Sequence, residues 1–165
     1  MWSSSLLIVL LIICVITDLK ERKIYNAVLF PFLLAALILH AFIGGIQGVT
    51  DVLLGTAVGL GILLIPYLLG GMGAGDVKLL AVIGGIKGIG FVLMASIYMA
   101  LAGGIIAIFV LLFRKGFLTR ILYFFQGLRH GVRLSLFEDK TTFPYGVAIA
   151  AGAVFQIFFP GVLSV

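Results

Sequence analysis

The sequence predicts an all-α polytopic membrane protein, and three observations support this fold class. Of the 165 residues, 63% are hydrophobic and only 10% are charged. The mean hydropathy of +1.34 exceeds what a water-soluble core of this size requires. The apolar runs also recur to the last residue, so a cleaved signal peptide does not explain them. We therefore expect residues 1–165 to form a single membrane-embedded domain.

Apolar runs of about 20 residues, the length that crosses a bilayer, define the first candidate helices. The charged patch DLKERK separates the first run from the second. Thr50 and Asp51 are common N-cap residues and are predicted to open the third run. Pro144 suits the first turn of the last run. The predicted spans are residues 2–17, 24–43, 50–70 and 144–163.

Residues 77–113 are too many for one crossing and few for two, and the basic residues decide between these possibilities. If the segments 18–23, 71–78 and 114–143 are all cytoplasmic, ten of the eleven Lys and Arg residues are inside and only Lys87 is outside. The chain must then cross twice, with the glycines between Gly84 and Gly90 as the predicted turn. The first of these two segments is a stub of about ten residues, roughly 15 Å long, which must be sheltered by protein. The prediction is about six membrane helices, one of them short, with both termini outside.

The loop 114–143 is predicted to contain a cytoplasmic interfacial helix that lies on the lipid headgroups. A lid over a functional site is the alternative interpretation. The apolar residues that recur at helical spacing are Phe117, Leu118, Ile121, Leu122, Phe125 and Leu128.

Two aspartates are the candidate functional residues. The predicted topology places Asp18, at the end of the first span, and Asp76, at the start of the stub, at the same cytoplasmic face. Acids at membrane depth are costly and are seldom retained without a role. The alternative for each acid alone is a helix cap or an ion pair with a nearby lysine, Lys20 or Lys78.

A pair of carboxylates gives a chemical reason for both acids. Two such groups about 3 Å apart do not both ionise easily and share one proton. One can then act as a general base on water while the other polarises a peptide carbonyl, which hydrolyses an amide without a metal. Gly73 and Gly75 precede Asp76, where absent side chains let an extended substrate backbone approach. A proton- or ion-coupled transporter is the alternative from another class, with the same acids as relay groups.

Three motifs in order resemble those of the type IV prepilin peptidases. They are DLKERKIYN, GMGAGDVKLLAVIGG with its Gly-x-Gly-Asp signature, and TTFPYGVAIAAG. The resemblance implies that Asp18 and Asp76 are the catalytic acids of a membrane aspartic endopeptidase. It also implies cleavage of a short basic leader from a pilin-like precursor, at the cytoplasmic face of a prokaryotic cytoplasmic membrane. An archaeal preflagellin-type peptidase is the closest alternative.

Two departures from that family refine the expectation. Tyr25 stands where the family often has proline, next to Asn26, which we expect to be an N-cap. The paired Cys-x-x-Cys motifs of the long, bifunctional members are missing, since Cys14 is the single cysteine. The chain therefore resembles the short, protease-only form associated with Tad/Flp pili. We expect no N-methyltransferase activity, no zinc and no other cofactor.

The remaining polar residues receive structural or peripheral interpretations. His40 is predicted to be a packed histidine near the outer face, and Lys78 to reach toward the headgroups or to shape the site. Glu138 and Asp139 are weaker candidates, as acidic residues that would recognise the basic leader of a substrate. The positive charge lies between apolar runs, which is typical of a membrane topology signal and not of nucleic-acid binding. The composition predicts the lipid bilayer as a partner, and the family resemblance implies a prepilin-like protein as the other.

Overall fold

A computed structural model describes residues 2–113 and 145–159 of the chain. These residues are helical almost throughout and contain no strand, so the predicted all-α class is confirmed for them. The interfacial helix predicted within 114–143 and the predicted role of Pro144 lie outside the described residues. The helices are α1 (Trp2–Glu21), α2 (Asn26–Leu68), α3 (Ala74–Lys87), α4 (Ile89–Phe113) and α5 (Tyr145–Phe158).

Helix α2 is folded at Gly45 and consists of two helical halves. Gly45 has φ 58° and ψ −136°, a conformation that glycine adopts without a steric penalty. Beyond this kink, the backbone of Gly48 packs directly on the carbonyl of His40. The halves before and after Gly45 correspond to the predicted spans 24–43 and 50–70.

The predicted N-cap at Thr50 and Asp51 is wrong. Both residues lie inside the second half of α2, which already begins beyond Gly45. The Thr50 hydroxyl donates a hydrogen bond to the carbonyl of Gln47, 2.7 Å away, instead of accepting one from the backbone. The kink at Gly45 starts this half several residues before the polar pair.

Helix α3 lies between the two halves of α2. Lys78 near its start bonds to Asn26, and Ile86 near its end approaches His40, so α3 is parallel to the first half. Gly84 meets Gly55, and their backbones approach so closely that neither position accommodates a Cβ atom. Because Gly59 adjoins Leu80 one turn earlier along α3, the second half is antiparallel.

The short helix predicted near residue 77 is confirmed, with different bounds. Helix α3 has 14 residues, which at 1.5 Å per residue is about 21 Å, still short of the hydrocarbon thickness. The turn predicted for the whole glycine group occurs at Gly88, with φ 85°. Gly84 and Gly85 are wrong as turn residues, because they lie inside α3 and are needed for its packing. All residues from Asp76 to Ile86 except Lys78 are buried, so the helix is sheltered by protein as expected.

The remaining helices complete a bundle around α3. Helix α1 is antiparallel to α3, since Lys87 at the end of α3 bonds to Ser4 at the start of α1. Helix α4 turns back after Gly88 and packs antiparallel to α5, where Gly152 lies against Met99. We call the end of the bundle that holds the end of α1 and the starts of α2, α3 and α5 the site end, and the opposite end the far end. The fully buried large side chains are Leu7, Leu10, Leu79, Leu80, Ile83, Ile86 and Ile149.

The surface of the bundle is strongly apolar. Helices α1 and α2 are long and apolar enough to cross a membrane, and shorter apolar helices cover Ile89–Ile105 and Tyr145–Phe158. Large aliphatic and aromatic side chains are exposed along the outside, including Ile12, Phe30 and Leu53. Such a surface is suited to lipid contact and is unusual for a monomeric soluble protein.

Candidate active site

Asp18 and Asp76 line one cavity at the site end of the bundle. The cavity has a volume of about 320 Å³, and both aspartates are buried, with 6% and 8% of their surface exposed. The fold therefore brings together two carboxylates that the sequence separates by 58 positions. The other lining residues are Arg22, Lys23, Ile24, Tyr25, Asn26, Gly73 and Gly75.

The carboxylate of Asp18 is held at the start of α5. The backbone N–H groups of Gly146 and Val147 lie close enough to interact with its charge, and the N-terminal end of a helix favours an anion. Its Oδ2 atom is buried and accepts no hydrogen bond from any residue that the structure describes. An unsatisfied buried oxygen in a cavity is a candidate site for a water molecule.

Gly146 is a site residue that the sequence analysis missed. A Cβ atom at this position would lie 2.6 Å from Oδ2 of Asp18, so only glycine lets the carboxylate approach the first turn of α5. Its sequence signal is the motif TTFPYGVAIAAG, which supported the family resemblance but predicted no role for Gly146.

Asp76 caps the helix on which it lies. Its Oδ2 accepts a hydrogen bond from the N–H of Gly73 at 3.2 Å, and the N–H of Asp76 donates to the Gly73 carbonyl at 3.2 Å. The helix-cap alternative for Asp76 is thus observed together with its place in the cavity. An ion pair with Lys78 is not formed, because Lys78 Nζ donates to Asn26 Oδ1 at 3.0 Å instead.

The two glycines before Asp76 have different surroundings. At Gly75, a Cβ atom would lie 2.9 Å from the Cβ of Ile24, so this glycine lets the loop between α1 and α2 pack on α3. Gly73 is exposed, and a Cβ atom at this position would lie 3.3 Å from Oδ2 of Asp76. The backbone at Gly73 is therefore the more accessible of the two to a substrate.

Asn26 and Lys78 connect the starts of α2 and α3. The predicted N-cap role of Asn26 is wrong by one position, because α2 begins at Asn26 and Tyr25 is its N-cap residue. The Asn26 side chain instead accepts the hydrogen bond from Lys78, across 52 positions of sequence. Both residues are exposed; Asn26 lines the cavity, and Lys78 is connected to the cavity only through this hydrogen bond.

Tyr25 forms part of the cavity lining next to the aspartates. Its hydroxyl donates a hydrogen bond to the Glu21 carboxylate, and this bond raises the pKa of Tyr25. The phenol therefore remains neutral in the physiological range, and contributes a dipole but no charge.

Other polar candidates lie away from this cavity. His40 packs edge-on against Trp2 with ring centroids 4.9 Å apart, as expected for a packed histidine at the other end of the bundle. Glu138 and Asp139 lie outside the described residues. Within the described ranges, no group of three or more His, Cys, Asp or Glu side chains is placed to hold a metal ion.

These features define a class of protein: an all-helical bundle with a lipid-suited surface and paired carboxylates at one cavity, where acid–base chemistry is possible. The chain belongs to the type IV leader peptidase family, whose family model matches residues 5–108. The match includes both aspartates and ends before α5. Comparisons with curated proteins and with solved structures gave no significant match. Family membership supports a peptidase activity and confirms the family resemblance drawn from the motifs.

Proposed function

We propose that this protein is a membrane aspartic endopeptidase that removes the short basic leader of type IV prepilin-like precursors. The single observation that supports the aspartic mechanism is the shared cavity of Asp18 and Asp76. Family membership supports a leader peptide as the substrate.

In the proposed mechanism, a water molecule binds between the two carboxylates. The unsatisfied Oδ2 of Asp18 provides an acceptor for this water. One carboxylate takes a proton from the water, whose oxygen attacks the peptide carbonyl carbon. The other, protonated acid donates to the carbonyl oxygen, and the departing amine takes a proton as the C–N bond breaks. The reaction needs only these two residues and water.

The substrate is expected to bind as an extended chain along the exposed backbone near Gly73. Arg22 and Lys23 line the same cavity, so like-charge repulsion disfavours a basic leader beside them. We therefore place the leader on the side of the cavity formed by the loop between α2 and α3. Lys78 and Asn26 fix the edge of that side through their hydrogen bond.

The basic residues support a cytoplasmic site. Lys20, Arg22, Lys23 and Lys78 all lie at the site end, and positively charged segments are retained in the cytoplasm. The proposed location is a prokaryotic cytoplasmic membrane, crossed by about six helical segments. The absence of paired cysteines from the sequence supports the protease-only Flp/Tad-type function, without N-methylation.

Two alternative functions use the same acids. An archaeal preflagellin-type peptidase would share the chemistry and differ in its substrate. A proton-coupled transporter would place its acids near the bilayer midplane, whereas Asp18 lies in the last turn of α1 and Asp76 in the first turn of α3. This position at helix ends favours the peptidase.

Leader cleavage in membranes tests the proposal. A prepilin-like precursor is co-expressed with the wild type, Asp18→Asn or Asp76→Asn, and the shift in substrate mass is followed with matched enzyme levels. Both variants should lose cleavage. Lys20→Gln is the control, since it removes an exposed charge from the same turn as Asp18 without altering the cavity lining. Near-normal cleavage by either aspartate variant would contradict the aspartic mechanism.

A further inference from the structure

A second cavity lies at the far end of the bundle, away from the aspartate pair. Its volume is about 230 Å³. Both halves of α2 and the turn between α3 and α4 contribute to it. The lining residues are His40, Asp51, Gly85, Lys87, Gly88 and Ile89.

This cavity has a cationic and an anionic side chain that do not neutralise each other. Lys87 Nζ donates to the hydroxyl of Ser4 at 2.7 Å and lies 5.3 Å from the centre of the Phe91 ring. Asp51 is exposed on the second half of α2. No ion pair within 4.0 Å joins Asp51 to Lys87 in the described part of the chain. The cavity therefore offers a positive and a negative group to the same ligand.

The groups around the cavity are held by packing and hydrogen bonds. His40 lies between the ring of Trp2 and the carbonyl oxygen of Ile86, which is 3.2 Å from its Nε2. Gly88 in the turn before Ile89 has φ 85°, a conformation that favours glycine. The cavity wall at this point is therefore formed by backbone, with no side chain. A cavity formed in advance loses less free energy to ordering when a ligand binds.

The position of the cavity points to lipid headgroups. Trp2 at the far end is a residue type enriched at membrane–water interfaces, and the apolar side chains of Phe42 and Ile46 are exposed at the same end. Lys87 is the basic residue that departs from the charge asymmetry, since the other described lysines and arginines lie at the site end. Lys87 is therefore the basic side chain available to an anionic group at this end of the described bundle.

We propose that the far-end cavity binds the phosphoethanolamine headgroup of a membrane phospholipid. Lys87 binds the phosphate, and Asp51 accepts hydrogen bonds from the primary ammonium group. A choline headgroup has no N–H to donate to Asp51, and a glycerol headgroup has no cation. This inference requires the chain to lie in a bilayer but does not depend on peptidase activity.

Native mass spectrometry of the full chain in detergent tests the proposal. The probes are phosphatidylethanolamine, phosphatidylcholine and phosphatidylglycerol with identical acyl chains. Phosphatidylethanolamine should bind roughly tenfold more tightly than the other two, the effect of one additional charge-assisted hydrogen-bonding group. Equal affinity for the three lipids would overturn the proposal.

Variants of Asp51 and Lys87 test the contacts to the ammonium group and to the phosphate separately. Asp51→Asn should remove the preference for ethanolamine, and Lys87→Gln should weaken binding of all three lipids. Lys87→Arg keeps the cation and should retain the preference, which guards against a folding defect at this position. Lys20→Gln, at the site end, is the matched lysine control and should bind like the wild type. An unchanged ethanolamine preference in Asp51→Asn, or unchanged affinities for all three lipids in Lys87→Gln, would overturn the assignment.

A soluble headgroup distinguishes the source of the ligand. Glycerophosphoethanolamine, which has no acyl chains, should not displace the lipid at equal concentration, because the adjoining apolar surface then contributes nothing. Displacement at that concentration would assign the cavity to a soluble phosphoamine and overturn the lipid proposal.

Discussion

The carboxylate of Asp18 lies so close to Gly146 that a single added carbon atom would be 2.6 Å from Oδ2. The first turn of α5 therefore sets the position of an acid on α1, although 128 positions of sequence separate the two residues. This contact makes the position of Asp18 depend on a helix outside the region that the family model matches.

Gly146→Ala should lower cleavage strongly with a smaller effect on stability. The added methyl group must displace Asp18 or the start of α5, and a displacement of about 1 Å at a catalytic group costs roughly 100-fold in rate. The measurement is kcat for leader cleavage together with the thermal midpoint in detergent. Gly61→Ala is the control, because a Cβ atom there meets nothing within 4 Å. A Gly146→Ala enzyme with wild-type kcat would show that Asp18 is not positioned by this contact.

The two aspartates should behave as one catalytic unit. Asp18→Asn and Asp76→Asn should each lower the cleavage rate by roughly 10³-fold or more. The double variant should be hardly slower than the less active of the two single variants. Independent roles would instead give free-energy losses that add. Rates are compared in membranes at matched expression, and an additive double variant would argue against a shared proton and water.

The hydrogen bond between Asn26 and Lys78 should couple the two edges of the cavity. Because both side chains are exposed, Asn26→Ala and Lys78→Met should each cost only about 0.5 kcal/mol of stability. Their effects on cleavage should be severalfold and should not add in the double variant, since either change breaks the same bond. Lys20→Met reports the effect of losing an exposed lysine without that bond. Fully additive losses in the double variant would mean that the bond does not act on the site.

The direction of the bundle in the membrane can be tested by cysteine labelling. In a Cys14→Ser background, Gln47→Cys at the far end should react with an impermeant maleimide added outside the cell. Lys20→Cys at the site end should react only after permeabilisation, because the basic segments are expected inside. The reverse labelling pattern would place the aspartates outside and exclude cytoplasmic leader cleavage.

The cut substrate should keep an unmodified N-terminus. The chain has one cysteine and lacks the paired Cys-x-x-Cys motifs that the methylating family members carry. Mass spectrometry of the mature pilin, from cells in which this is the sole leader peptidase, should show no added methyl mass. A methyl group that depends on this enzyme would contradict the protease-only function.

The sequence predicted the helices and the aspartate pair because both leave signals in the local composition. Apolar length identified the spans, and the positions of the basic residues placed Asp18 and Asp76 at the same end. Glycine was harder to interpret, since it serves both turns and close packing. Gly84 was predicted to turn the chain, but its role depends on Gly55, whose backbone it contacts from a distant part of the sequence. Gly146 was missed for the same reason, because its partner is a carboxylate on another helix.

The burial of α3 has a consequence for how the enzyme is made. This helix is too short to cross the bilayer alone, and it reaches its position only among its neighbours, so Asp76 enters the site late in assembly. The last part of the site to emerge from the ribosome is the turn that begins with Tyr145 and Gly146. A nascent chain that has not yet produced this turn holds both acids but lacks the groups that position Asp18. Under the proposed mechanism, cleavage therefore requires that synthesis has passed Gly146, which follows α1 to α4 in the chain.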